Sequence, residues 1–61
     1  LADLSWQAAL DRARDDAAQL YLTAVMDRFG GRVADAAAHA GIGRESFYRL
    51  LRRHGVRADS G

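Results

Sequence analysis

Between positions 44 and 53 the chain reads RESFYRLLRR, and its four arginines, one glutamate and two hydroxyls are the side chains best suited to recognition. A guanidinium presents a planar fork of donors that matches a phosphate or the O6/N7 edge of guanine, and a carboxylate can accept from the amine of cytosine. Placed on a helix, Phe47, Leu50, Leu51 and His54 turn inward and Glu45, Arg49 and Arg52 turn outward, flanked by Arg44, Ser46, Tyr48 and Arg53. Bond-making chemistry finds no comparable set. There is no cysteine, and the only histidines, His39 and His54, have no carboxylate or thiol at a useful spacing, so neither catalysis nor a metal or other cofactor is expected. An arginine-rich face can also be a solvated surface whose last-turn cations complement the helix dipole. What precedes this segment decides between the two.

The residues from Val33 to Leu51, VADAAAHAGIGRESFYRLL, have the spacing of a helix-turn-helix. Ala37, with Ala36 and Ala40 beside it, supplies the small residues needed where the second helix crosses the first. Gly41 falls where the turn demands a positive φ, Ile42 plugs the corner, and Phe47 with Leu50 or Leu51 pins the second helix of the motif to the core. The spacing predicts one helix over Val33 to Ala40 and another over Arg44 to Arg53. Gly55 and Val56 are expected to form a left-handed cap folded back on Leu51.

A longer helix should come first. No proline occurs anywhere and no glycine lies between Ser5 and Phe29. Ser5 is a suitable N-cap and Gly30-Gly31 a stop signal. Trp6, Leu10, Ala13, Ala17, Leu20 and Ala24 form an apolar stripe at steps of three and four, opposite Gln7, Asp11, Asp15, Gln19, Thr23 and Asp27. A break near Asp15-Asp16 is an open alternative, since adjacent aspartates are poor interior helix formers. Further along, Leu20, Tyr21, Leu22, Ala24, Val25, Met26 and Phe29 cover most of the wheel, more apolar surface than one small motif can hide. The expected solution is a two-fold contact between long helices, with Leu10, Ala13, Ala17, Leu20, Tyr21, Leu22 and Val25 at the interface.

Length and charge support this reading. Sixty-one residues form one domain burying only about 60% of its unfolded surface, a marginal core that a second subunit would supplement. No membrane span or signal peptide is evident, and with no initiator methionine the chain reads as a cytoplasmic fragment of a larger protein. The net charge is only +1. Residues 1–31 nevertheless carry five aspartates against three arginines, whereas residues 32–61 carry six arginines against three acids. The basic half is the motif half. The chain is thus expected to be all-α and a single domain over 1–61: a dimerisation helix within 1–29, a helix-turn-helix over 32–55 and a tail over 56–61.

The run GGRVADAAAHAGIGRESFYRLLRRHGV also resembles the Fis-type DNA-binding domain, found in the nucleoid protein Fis and in the C-terminal domains of NtrC-type enhancer-binding activators. Gly30, Gly31, Ala36, Ala37, Gly41, Ile42, Arg44, Tyr48, Arg49, Leu51, Arg52, Arg53 and Gly55 match the family pattern, and the resemblance covers about residues 16 to 56. It implies a homodimer presenting two recognition helices to successive major grooves of double-stranded DNA, with Arg44, Ser46 and Arg49 reading bases. It further implies a nucleoid-associated bacterial transcription activator, of the two-component kind, that meets RNA polymerase and an alternative sigma factor through other domains. Three positions depart from the pattern. Arg32 replaces asparagine and can still reach phosphate while capping its helix less well. Asp35 replaces a basic residue on the DNA side, where it would repel phosphate. Gly43 replaces a serine or asparagine N-cap, at a cost of a few tenths of a kcal/mol. These departures motivate an alternative, a Fis-like fold used as a protein-interaction module without DNA.

Overall fold

A computed structural model describes residues 2–58. They form three helices and no strand: α1 (Trp6–Arg28), α2 (Val33–Ala40) and α3 (Arg44–Arg53). Each begins and ends for a local reason. At the start of α1 the Ser5 hydroxyl accepts from the Ala8 amide at 3.2 Å, satisfying one of the donors that a first turn leaves without a partner. The helix then runs for 23 residues without interruption through Asp15-Asp16, so the alternative break is not realised.

All three helices stop in the same way. The Gly31 amide donates to the Met26 carbonyl and the Gly30 amide to that of Asp27; Ile42 and Gly41 donate in the same pattern to Ala37 and Ala38, and Val56 and Gly55 to Leu51 and Arg52. This paired pattern is the Schellman motif, which places a left-handed residue just past the helix. Gly41 occupies that position between α2 and α3 with φ 74°, where a side chain would add about 1–2 kcal/mol of backbone strain.

The core consists of Leu22, Val25 and Met26 from α1, Val33, Ala36 and Ala37 from α2, and Phe47 and Leu51 from α3. α2 touches both other helices, and its buried Ala36 and Ala37 allow that approach because they carry only a methyl group. Phe29, Ile42, Tyr48, Leu50 and Val56 close the edges of the cluster. Ala58 packs there too, so the described part of the expected 56–61 tail folds back onto the domain; residues 59–61 lie outside the described residues.

Only the C-terminal part of α1 takes part. The molecule measures 41 × 18 × 17 Å, and α1 alone accounts for about 35 Å at 1.5 Å per residue. Trp6 and Leu20 are 78% and 73% exposed, and Ala13, Ala17 and Ala24 are exposed as well. The expected seven-residue pairing surface must therefore be corrected. Leu22 and Val25, 3% and 4% exposed, are already buried within their own chain and have nothing left to offer a partner. At 100° per residue Leu22 points roughly 160° away from both Leu20 and Ala24, and Val25 roughly 140° from Leu20 and 100° from Ala24, so one flat contact could not have included both sets. Leu10, Ala13, Ala17, Leu20 and Tyr21 remain at the surface, Leu10 half-buried.

Candidate nucleic-acid interface

The outward face of α3 follows from its inward one. Phe47 and Leu51 are its buried residues, and at 100° per residue Arg49 stands roughly 160° from each. Glu45 and Arg52 share that side. Glu45, Ser46, Arg49, Arg52 and Arg53 are all exposed, forming a polar face that runs the length of the helix; Arg44 is exposed as well, as the first helical residue, on the side of Leu51. Tyr48 differs. It lies near the boundary of the wheel, is half-buried, and packs against the core, so its ring supports the helix and only part of it reaches the outward face. Leu50 and His54, expected inward, are also half-buried.

Charge along α3 is polarised, with Glu45 in the first turn and Arg52 and Arg53 in the last. Both placements complement the helix dipole, which favours anions at the start and cations at the end. Gly43 caps α3 without any side-chain hydrogen bond, so the residue just before the helix presents only backbone. That leaves room for close approach to a ligand surface.

The start of α2 holds two features that the motif spacing could not reveal. Arg32, expected as a phosphate contact, makes no capping bond. Its Nε donates instead to Asp35 Oδ2 at 2.9 Å, in an ion pair whose side chains are 68% and 57% exposed. The two departures from the family pattern are thus partners, with the Asp35 carboxylate paired to the Arg32 guanidinium. A one-turn spacing of opposite charges was the available signal. The His39 ring, also on α2, lies 5.3 Å from that of Phe29, and the Arg28 guanidinium lies 5.7 Å from the Phe29 centroid, within cation-π range. His39 is exposed, as expected. Among the described residues no group of three or more His, Cys, Asp or Glu could hold a metal ion, and no helix is long and apolar enough to cross a membrane.

Two short helices crossing at a glycine turn, with the second presenting an arginine-rich face away from the core, define a helix-turn-helix of the DNA-binding class. A family model described as bacterial regulatory protein, Fis family, matches residues 19–54. That is more than half of the chain, which accordingly belongs to the Fis family of bacterial regulatory proteins. No curated protein and no solved structure matches it. The matched segment begins just before Leu22, the first core residue of α1.

Proposed function

We propose that this chain binds specific DNA sequences as a homodimer, as the DNA-binding domain of a bacterial transcriptional regulator of the NtrC-activator type. The observation that carries the reading is the polar face of α3. α3 enters the major groove, where Arg44, Ser46 and Arg49 meet base edges, Glu45 selects for a cytosine amine, and Arg52 and Arg53 meet phosphates, with Arg32 reaching a phosphate only when released from Asp35. Tyr48 contributes the exposed part of its ring to the backbone contact. α2 crosses the sugar-phosphate backbone.

The homodimer is supported by the surface that α1 leaves uncovered. Trp6, Leu10, Ala13, Ala17, Leu20 and Ala24 recur every three or four residues, the mean spacing of about 3.5 that lets two helices wind on one another. A second copy covers this stripe with its own. Pairing of this kind also accounts for a helix extended well past its core, because most helical stability in proteins comes from packing an apolar face rather than from intrinsic propensity. Activation, a cytoplasmic, nucleoid-associated location and contact with RNA polymerase and an alternative sigma factor through other domains rest on the resemblance to NtrC-type proteins.

The test is DNA binding measured by fluorescence anisotropy on duplexes selected from a random pool, titrated with salt. Affinity should fall steeply with ionic strength as condensed counterions are released. Arg49→Ala should cost about 1–3 kcal/mol and relax discrimination at one base pair of each half-site, while Arg53→Ala should weaken all sequences alike. Absence of binding at low salt, together with capture of a protein partner insensitive to salt, would establish the alternative of a protein-interaction module.

A further inference from the structure

We infer that Asp35 acts as a built-in competitor for Arg32, occupying the guanidinium that would otherwise take a DNA phosphate and so setting the sequence-independent part of DNA affinity. The inference rests on the DNA-binding reading above and adds a residue with a defined role to it.

Arg32 is positioned for backbone contact. It is the N-cap of α2, the helix that crosses the phosphates in this motif. In the free protein that position is already taken. The Arg32 Nε is bonded to Asp35 Oδ2 at 2.9 Å, and Nη1 of the same group lies 3.8 Å from where a Cβ on Gly30 would stand. The guanidinium therefore lies back over the turn between α1 and α2, with one donor committed to a carboxylate. A carboxylate and a phosphate offer arginine the same kind of charged acceptor. Nε is one of five guanidinium donors, so the competition is one of orientation: held back over the turn by Asp35, the group has to swing off the carboxylate to meet a phosphate in front of α2, and doing so leaves Asp35 with its charge beside the phosphates.

Exposure makes the exchange feasible. Both side chains are more than half exposed, so no core contact is disturbed, and exposed ion pairs of this kind are weak enough to open. The device thus acts as a brake on backbone binding and leaves the base-reading face of α3 untouched.

A double-mutant cycle on the full chain separates this from two independent charges. Wild type, Arg32→Ala, Asp35→Ala and the double variant are titrated with a duplex of random sequence and with a selected one, at several salt concentrations. Circular dichroism verifies that all four proteins keep their helices. Asp35→Ala should tighten binding to both duplexes about fivefold, the upper end of what an exposed pair holds, and steepen the salt dependence by about 0.9, the value of one added phosphate contact. Arg32→Ala should change affinity less than about twofold in the presence of Asp35 and about fivefold in its absence, this difference being the pair. Equal costs of Arg32→Ala in the two backgrounds would show independent charges and overturn the inference. A larger cost with Asp35 present would show that the carboxylate aims Arg32 at phosphate, and would also overturn it. If all four proteins bind only the selected duplex and the cycle is additive there, the DNA-binding reading stands and the competitor fails; if none binds DNA at low salt, both fall together.

Discussion

The two halves of α1 belong to the same helix and have opposite fates. From Leu22 onward its inward face carries Leu22, Val25, Met26 and Phe29, all packed in or against the core. Continued toward the N-terminus, the same face reads Gln19, Ala18, Asp15 and Asp11, and packing stops. The apolar character passes to the opposite side of the helix, along Leu20, Ala17, Ala13, Leu10 and Trp6. The helix thus carries two apolar faces that overlap in sequence and oppose each other in space. One is covered within the chain and the other is not, and the family match starts near the point where the covered one begins. The comparison teaches that apolar content alone does not say what a helix packs against; the angle between its apolar sets does.

Breaking the covered region should have the largest effect. Phe47 is fully buried, and Phe47→Ala should cost about 3–5 kcal/mol. In a domain this small that is enough to populate the unfolded chain, read as loss of helical circular dichroism at room temperature. Retention of a cooperative transition near the wild-type temperature would show that α3 is not held by this residue.

On the uncovered side, Leu20→Asp should leave the core intact and weaken association of two copies by roughly 1.5–3 kcal/mol for each buried leucine. Sedimentation equilibrium measures this directly, with helical content unchanged at high protein concentration. Leu22→Asp is the matched control: only two residues along, just over half a helical turn and so on the opposite face, it should unfold the chain at every concentration. Should both variants behave alike, the two faces are not separate.

Gly41→Ala sharpens the account of the covered region at smaller scale. No heavy atom lies within 4 Å of the Cβ it would add, so the expected loss of about 1–2 kcal/mol comes from the left-handed backbone alone. A denaturant midpoint that does not move would contradict that origin. The smallest effect belongs to the uncovered end. Ser5→Ala removes the acceptor for the Ala8 amide and should cost about 1 kcal/mol of local helix stability. It should be visible as faster amide exchange in the first turn of α1, with protection of Phe47 and Leu51 unchanged.

Much of this molecule was legible because it is local. The ranges of α2 and α3, the cap at Ser5 and the glycine stops follow from residues within about one turn of each other. Capping hydrogen bonds and positive φ angles need nothing more distant. The outward face of α3 was equally legible, since Phe47 and Leu51 define its opposite by periodicity. How far Tyr48 reaches the outward face was less legible, because the burial of a position at the edge of the wheel is decided by what packs beside it. The Arg32–Asp35 pair is not legible from either position alone, since it depends on the rotamers that two exposed side chains take at the start of α2.

The sequence by itself therefore determined three helices, their ends, the helix-turn-helix and the basic character of its second helix, all through short-range backbone chemistry and helical periodicity. Tertiary structure alone decided which apolar face of α1 turns to α2 and α3, and with it the reassignment of Leu22 and Val25 from a pairing surface to the core. The reason is physical. Periodicity identifies apolar faces without ranking them, and the choice falls to the one whose spacing meets Val33, Ala36, Ala37, Phe47 and Leu51, because burial there removes more apolar surface from water.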